Sequence, residues 1–235
     1  MKNLNIFSLI TEYDNAKSGV VLNVPNVSFV DEDSSIRYLL KNVLTHNGYE
    51  YVDLGLPSGL KWATCNVGAN SPEEYGLYFA WGETTGYTSD DVKSGVRSFN
   101  PDTYNEGTAA SISANLTLEQ DAAHVNMGGN WRMPTEAEFK ELCNKCNCVR
   151  TDDYNGTGVA GCIFTSKVNG NSVFFPAAGY GYRSFMEDLG SYGYYWSASW
   201  FKSGYASELC LYSNGGNQIV NTMSYSGLSV RAVCE

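Results

Sequence analysis

Short apolar segments alternate with segments rich in Tyr, Trp, Ser, Asn and Gly along the last third of the chain, residues 179–235. This alternation predicts short strands at residues 194–198, 208–211 and 228–234. Rigid aromatic side chains beside small polar ones are also typical of antigen-binding loops. The segments between these strands are therefore either ordinary glycine-rich loops, which composition alone favours, or a binding surface.

The same kind of pattern begins at Tyr49, where two strands are predicted on either side of the turn Pro57-Ser58-Gly59. Residues 75–81 read as another aromatic strand, and Asn169-Gly170 lies between two apolar runs as a two-residue hairpin signal. Residues 84–113 carry Gly, Ser, Asp and Asn without a period. They are predicted to form a long loop or an insertion.

Two helices are predicted from capping patterns. Thr117 and Gln120 form a capping-box pattern that opens a short helix from 118 to about 126. Thr135 and Glu138 form a stronger one. The helix that follows has one buried stripe, made of the side chains at i, i+3, i+4 and i+7: Phe139, Leu142, Cys143 and Cys146.

Residues 1–48 differ in character from the rest. Two β-prone apolar runs, at 20–24 and 27–30, precede an acidic turn at 31–33. Such pieces cannot form a core alone, so the segment is either a frayed leader or a docking segment that adds strands to a partner. Its Val, Ile and Phe content favours docking. The chain therefore divides into a docking and oligomerisation segment, 1–48, and a globular domain, 49–235.

Length and charge narrow the class of protein. The chain of 235 residues is 43% hydrophobic, which is enough to bury a core. Its net charge of −10 repels a phosphate backbone, so we expect no nucleic-acid partner. The apolar run at 4–10 is too short for a signal peptide or a membrane span. We therefore expect a protein made in the cytosol, without membrane association, whose seven cysteines are reduced thiols.

Catalytic and metal-binding patterns are weak. Cys143-x-x-Cys146-x-Cys148 invites a zinc or redox interpretation, but two of its thiols lie on the buried helix stripe, which favours structural cysteines. Residues 152–156 carry oxygen ligands without the spacing of a calcium loop and favour a polar turn. The carboxylates at 136, 138 and 141 are most simply a solvated first turn of the helix. We therefore predict no catalytic residues, no metal and no cofactor.

A set of motifs resembles the FISUMP domain, the Fibrobacter succinogenes major paralogous family, from about Tyr49 to the C-terminus. The motifs are Tyr-Val-Asp-Leu-Gly-Leu-Pro-Ser-Gly-Leu-Lys-Trp-Ala (51–63), Asn-Val-Gly-Ala (66–69), Tyr-Phe-Ala-Trp-Gly-Glu (78–83), Asn-Trp-Arg-Met-Pro-Thr (130–135), Phe-Pro-Ala-Ala-Gly (175–179), Tyr-Trp-Ser (195–197) and Ser-Val-Arg (229–231).

That family is similar to the formylglycine-generating-enzyme branch of the C-type lectin fold. The resemblance implies an α+β, C-type-lectin-like domain, with two helices around a small twisted antiparallel sheet and an extended N-terminal anchoring segment. It also implies that Arg132 and Arg231 make hydrogen bonds and that Trp131 and Trp196 are core residues. The calcium motifs of sugar-binding relatives, Glu-Pro-Asn and Trp-Asn-Asp, are absent.

The resemblance also places a ligand face at the C-terminus, because this fold displays the variable region of proteins diversified by retroelements. Asn, Tyr and Ser positions between fixed strands would form that face. The implied ligand-binding residues are Tyr192, Tyr194, Trp200, Lys202, Tyr205, Tyr212, Asn214, Asn217, Asn221 and Tyr225.

Three functions follow as hypotheses. The first is a non-enzymatic phage virion fibre or decoration protein. It would be anchored to virion structural proteins through 1–48, homotrimeric by resemblance to phage fibres, and directed at a bacterial surface glycan or protein. The second is a bacterial surface or pilus-like adhesin module, exported by another route. The third is an enzyme of the formylglycine-generating type, which would need a reactive low-pKa thiol that the sequence does not place in a site.

Overall fold

The computed structural model describes residues 27–32, 35–40, 44–105 and 108–235. The chain separates into two compact units that divide between Val43 and Leu44. In the first unit, β1 (Val27–Glu32) and β2 (Ser35–Leu40) form an antiparallel hairpin. The rest of the predicted docking segment up to residue 43 lies outside the described residues, and its docking role stays a prediction.

The second unit contains fourteen strands among its described residues. They are β3 (Leu44–His46), β4 (Tyr49–Asp53), β5 (Lys61–Asn66), β6 (Tyr78–Phe79), β7 (Cys146–Thr151), β8 (Gly161–Ser166), β9 (Ser172–Pro176), β10 (Tyr180–Tyr182), β11 (Phe185–Glu187), β12 (Gly193–Lys202), β13 (Tyr205–Leu211), β14 (Asn217–Met223), β15 (Leu228–Ser229) and β16 (Arg231–Cys234).

These strands form four sheets. The largest has the order β14-β13-β12-β15-β6, with one parallel pairing, between β12 and β15. A second has the order β16-β5-β4-β3, a third is β7-β8-β9, and β10 pairs with β11. The strands β15 and β16 are separated by a single residue, Val230, yet they belong to different sheets.

Four α-helices lie among the described residues: α1 (Ser89–Lys93), α2 (Pro101–Asn105), α3 (Ala122–Met127) and α4 (Glu136–Lys145). The capping box at α4 is confirmed, since Thr135 accepts from the amide of Glu138 while the Glu138 carboxylate accepts from the amide of Thr135. Phe139 and Leu142 on its stripe are buried. No helix in the described part of the chain has the length and apolar character needed to cross a membrane.

The predicted fold class is wrong. The second unit is rich in β-structure, with four sheets and only short helices among its described residues, not two helices around one small sheet. One reason is visible at β14, a segment whose composition resembles a loop. It pairs with β13 over seven consecutive residues, so backbone hydrogen bonding makes it a strand. Strand pairing therefore overrode local composition.

Two local predictions also fail. The helix predicted over 118–126 is divided at Asp121, whose extended backbone separates a 3-10 turn, Leu118–Gln120, from α3. The carboxylate of Asp121 accepts from the amides of His124 and Met133, so it caps α3 and holds the next segment.

The loop predicted over 84–113 contains α1 and α2. Thr88 and Asp91 form a capping box at α1, with Asp in place of the usual Glu or Gln.

Buried side chains form three clusters in the second unit. One surrounds Trp131 and Trp196, a second joins Phe139 of α4 to Trp62, and a third surrounds Phe99. The predicted core positions Trp131 and Trp196 are both fully buried. Every residue of the three clusters lies C-terminal to Val43, so the second unit carries its own core.

The turn at Asn47-Gly48 connects β3 to β4 with positive φ at both residues, as a two-residue hairpin turn requires. The Asn47 amide donates to the carbonyl of Met127, and the Trp131 indole donates to the carbonyl of His46. Residues 44–48, which the sequence assigns to the docking segment, thus contact the core of the second unit.

Arg231 is fully buried between two sheets. Its guanidinium donates to the carbonyls of Ala63, Thr64 and Phe174 at 2.9–3.1 Å, and twice to Asn66 Oδ1, at 2.8 and 3.1 Å. The guanidinium carbon lies 4.4 Å from the centre of the Phe175 ring. β5 and β9 are thereby joined through one side chain of β16.

Replacing Arg231 by Lys should destabilise the second unit strongly. An ammonium cannot reproduce a planar fork of five hydrogen bonds, so several buried oxygens would lose their donors. We expect a loss of about 3 kcal/mol or more in denaturant unfolding. Arg183→Lys is the matched control at an exposed position, where we expect a change within about 0.5 kcal/mol. Equal, small effects would mean that the Arg231 bonds do not hold the sheets together.

Two truncations should differ in stability. Removal of residues 1–43 leaves β3 and all three core clusters intact, so we expect the free energy of unfolding to change by less than about 1 kcal/mol. Removal of 1–48 also takes away the partners of Trp131 and Met127, and should cost about 1–3 kcal/mol more. Chemical denaturation of both variants measures the difference. Equal stabilities would place the boundary nearer residue 48.

Candidate functional site

A cavity of about 320 Å³ lies beside the five-stranded sheet. Four tyrosines contribute to its wall: Tyr180, Tyr182, Tyr194 and Tyr225. Glu208 lines it as well and is only 3% exposed, which puts its carboxyl group deep in the cavity. The remaining lining comes from Thr222, Met223, Ser226 and Leu228. We refer to this cavity as the tyrosine pocket.

Strand alternation places Tyr180 and Tyr182 on one face of β10, with Gly181 between them facing the other way. A side chain at Gly181 would not fit, because a Cβ there would come within 2.5 Å of the Phe99 ring. The backbone of Gly181 also exchanges hydrogen bonds with Gly227, at 2.7 and 2.9 Å. This close approach holds β10 against the segment that carries Tyr225.

Glu208 lies in the middle of β13, opposite Trp196 on β12 and Val220 on β14. Residues opposite each other in an antiparallel pair share a face, so the carboxylate emerges among large apolar side chains. One of its oxygens, Oε2, is buried without a hydrogen-bond partner. Burial in these surroundings raises the pKa of Glu208 to about 8. The acid is therefore mostly protonated at neutral pH.

Other polar groups around the pocket stay neutral for the same reason. Burial raises the pKa of Tyr180 and of Tyr194, and it raises that of the Cys210 thiol to about 12. The Tyr194 hydroxyl donates to the carboxylate of Asp188 at 2.8 Å, which strengthens the shift at Tyr194. Among these groups, Glu208 is therefore the one whose pKa is brought close to neutral pH by burial.

Aromatic rings continue from the pocket across the surface. The ring of Tyr194 lies 5.1 Å from that of Tyr180 and 6.1 Å from that of Tyr192. Tyr192 in turn meets Tyr212 edge-on at 6.1 Å. On the other wall, the rings of Tyr182 and Tyr225 lie 6.4 Å apart. Four of the ten predicted ligand-binding residues, Tyr192, Tyr194, Tyr212 and Tyr225, therefore line or adjoin the pocket.

The other predicted residues do not line the pocket. Lys202 and Tyr205 meet at the opposite end of the β12–β13 hairpin, where the ammonium lies 4.7 Å from the ring centre. Tyr205 is the first residue of β13 and Tyr212 directly follows its last, so the two lie roughly 23 Å apart in the strand direction. Asn214 lies in the β13–β14 turn and accepts from the amide of Gly216. Tyr205 pairs with Met223 of the pocket wall, whereas Asn214 belongs to the turn that follows Tyr212.

Strand register separates two more of the predicted ligand-binding residues from Glu208. Asn217 lies opposite Leu211, and Asn221 lies opposite Ser207, so both share the face of β13 that does not carry Glu208. Asn221 accepts from the Ser207 hydroxyl at 2.9 Å. Trp200 is half-buried against the cluster that contains Trp196, and its indole nitrogen is buried without a partner. Trp200 is thus partly a core residue.

Sequence reasoning missed Glu208, Tyr180 and Tyr182. A signal existed for the first, because Glu208 is the single charged residue in the apolar run 206–211. A lone carboxylate in such a strand is unusual, since buried charges are normally paired. For the tyrosines, the alternation Tyr-Gly-Tyr at 180–182 marked a strand with two rings on one face.

The other candidate sites give no assembled centre. In the described part of the chain, His, Cys, Asp and Glu side chains do not gather in a group able to hold a metal ion. All seven cysteines are free thiols. Cys148 lies within hydrogen-bonding reach of Cys162, which lowers its pKa. Asp153 stabilises the turn at 154–156 by accepting from the amide of Gly158.

Comparisons of the chain with protein-family models, with curated proteins and with solved structures found no match.

Replacing Glu208 by Gln should change how stability depends on pH. The folded state keeps a proton on Glu208 up to about pH 8, whereas an unfolded glutamate loses it near pH 4.3. This carboxyl therefore destabilises the fold increasingly as pH rises from about 5 to 9. Relative to wild type, the variant should gain roughly 2–5 kcal/mol between those limits, measured by denaturant unfolding.

The control for this measurement is Glu50→Gln, at an exposed position on β4. Its stability should follow the wild-type pH profile throughout. Parallel profiles for wild type and Glu208→Gln would show that the carboxyl of Glu208 is solvated in the folded protein.

Proposed function

We propose that the second unit is a non-enzymatic recognition domain that binds its partner through the tyrosine pocket and the adjoining rings of Tyr192 and Tyr212. The observation that carries the proposal is the combination of a concave, aromatic-walled cavity with a buried carboxyl oxygen that has no partner. Binding sites typically combine apolar and aromatic walls with a few polar groups that fix orientation.

A purely structural role would leave the carboxyl unexplained. A buried polar atom without a hydrogen bond costs about 1–3 kcal/mol, and more if it becomes charged. Glutamine would avoid the charge, and an apolar residue would avoid the whole cost. A ligand that supplies the missing partner accounts for Glu208 at this position.

The tyrosines also favour recognition. Tyrosine offers large contact area with little conformational freedom to lose, and it is enriched among residues that dominate binding energy. The rings of Tyr180, Tyr194, Tyr192 and Tyr212 form a connected series, so a partner larger than the pocket would meet a continuous aromatic surface.

In the whole protein we assign this domain to attachment: a virion fibre or decoration protein that binds a bacterial surface glycan or protein. The support is the FISUMP-like set of motifs and the β-prone apolar runs of residues 1–48, which favour docking over a frayed leader. Anchoring through residues 1–48 and a homotrimeric assembly belong to the same proposal.

The test is adsorption of the fluorescently labelled full chain to a panel of intact bacterial cells. Tyr194→Ala and Tyr225→Ala should each reduce adsorption by about tenfold or more, as expected for aromatic residues at the centre of an interface. Val168→Ala serves as the control, because Val168 is an exposed apolar residue away from the pocket, with 61% of its surface accessible.

Thermal unfolding of the same samples separates loss of binding from loss of the fold. The comparison uses cells that retain the wild-type protein. If the pocket variants adsorb to these cells as well as the wild type and the control do, a role for the pocket is contradicted. Cells that retain none of the proteins would contradict the attachment assignment for that panel.

A further inference from the structure

We infer that the tyrosine pocket binds an alkylated ammonium group, with Glu208 as its counter-ion and the four tyrosine rings as its walls. This inference rests on the proposed function and names the chemical class of the ligand at the same site. The pocket, at about 320 Å³, is near the lower limit for small-molecule sites, which suits a compact head group.

The walls provide the first attraction. The face of an aromatic ring is negative, and recognition of quaternary ammonium groups by several rings around one cavity is the best-known use of this effect. The pocket has four such rings, two close pairs at 5.1 and 6.4 Å between centres. On the rim, the Arg183 guanidinium already lies 5.6 Å from the centre of the Tyr182 ring.

The carboxyl of Glu208 provides the second attraction for a cation. Ion pairs among the described residues use other carboxylates, namely those of Glu83, Asp90, Glu136, Glu138 and Asp152. Glu208 therefore has an unused charge site, and Oε2 has an unused hydrogen-bonding site. A cation that enters the pocket would meet a carboxylate that no protein cation neutralises.

A neutral, hydrogen-bonding ligand such as a sugar fits less well. Two of the four tyrosine hydroxyls are already engaged, since Tyr194 donates to Asp188 and Tyr225 donates to the sulfur of Met223. The hydroxyl protons of Tyr194 and Tyr225 are therefore already donated within the protein. The acidic side chains of Glu187 and Asp188 nearby, together with the net charge of −10, add long-range attraction for a cation.

Binding should depend on pH in one direction. The groups that face Glu208 are Tyr180 on β10, Tyr194 on β12, Cys210 on β13 and Tyr212 after it, with Asp188 beyond Tyr194 and Arg183 on the rim. Burial raises the pKa of each of these tyrosines and of Cys210, so they remain neutral up to pH 9. As pH rises from 6 to 9, Glu208 loses its proton and affinity for a permanent cation should increase, levelling off above about pH 8.

The experiment compares choline with its neutral analogue 3,3-dimethyl-1-butanol, in which carbon replaces the charged nitrogen. Both are titrated into the full-length protein by isothermal titration calorimetry at pH 6.0, 7.5 and 9.0. We expect choline to bind about tenfold or more tightly than the neutral analogue at pH 9.0, and less tightly at pH 6.0. Equal affinities at all three pH values would overturn the inference.

Three variants make the result specific. Glu208→Gln should remove the pH dependence and most of the preference for choline. Tyr225→Ala should weaken choline binding about tenfold, whereas Tyr225→Phe should retain it, because the ring face remains. The reverse outcome at position 225, with Phe as weak as Ala, would indicate that the hydroxyl matters and would overturn cation recognition. Unfolding midpoints of all variants identify any that fail to fold.

Two further arms separate this inference from the proposed function. A peptide carrying trimethyllysine that binds more tightly than choline would identify polypeptide as the source of the ammonium group, and equal affinity would show that the head group alone is recognised. Binding of neutral saccharides but not of choline would overturn the inference and leave the recognition domain intact. Absence of binding to any of these, with adsorption to cells unaffected by pocket variants, would reject both.

Discussion

The fold depends on one buried cation. Arg231 is fully buried, and its charge is stabilised there by carbonyl groups, one amide oxygen and an aromatic ring. Desolvation lowers its pKa, but an arginine stays protonated even so, and every bond it makes depends on that charge. Since its partners lie on β5 and β9, the four-stranded and three-stranded sheets cannot separate without exposing a charged group and several unsatisfied oxygens.

Glu208 is the counterpart of Arg231, a buried ionisable group whose needs are not met. Arg231 uses its hydrogen-bonding capacity within the protein, whereas Glu208 keeps a free oxygen in a cavity. Both lie on strands next to fully buried aromatic residues, so the difference does not come from burial alone. It comes from which groups the neighbouring strands bring within reach.

Local signals in the sequence were reliable where the physics is local. The capping box at Thr135 and the turn at Gly59 form as predicted, and Asn169-Gly170 lies between two paired strands, although in a five-residue connection, 167–171, and not in a two-residue turn. Each depends on the backbone preferences of a few neighbouring residues. The fold class failed because strand pairing is not local: β14 is a strand only because β13 lies beside it. Asp121 divided a predicted helix because its carboxylate also holds Met133, twelve residues away.

Composition and local patterns were enough to indicate that the chain can bury a core, which residues form several turns and the capped helix, and that the last third is rich in tyrosine. Which tyrosines meet depends on the three-dimensional arrangement of the strands. Tyr194 and Tyr225 join Tyr180 and Tyr182 around Glu208, while Asn217 and Asn221 lie on the face of the sheet that does not carry Glu208. Lys202 and Tyr205 meet at the β12–β13 turn, outside the pocket wall. Side chains alternate across a strand and separate by about 3.3 Å per residue along it. Proximity in space therefore depends on register and sheet order, which composition does not encode.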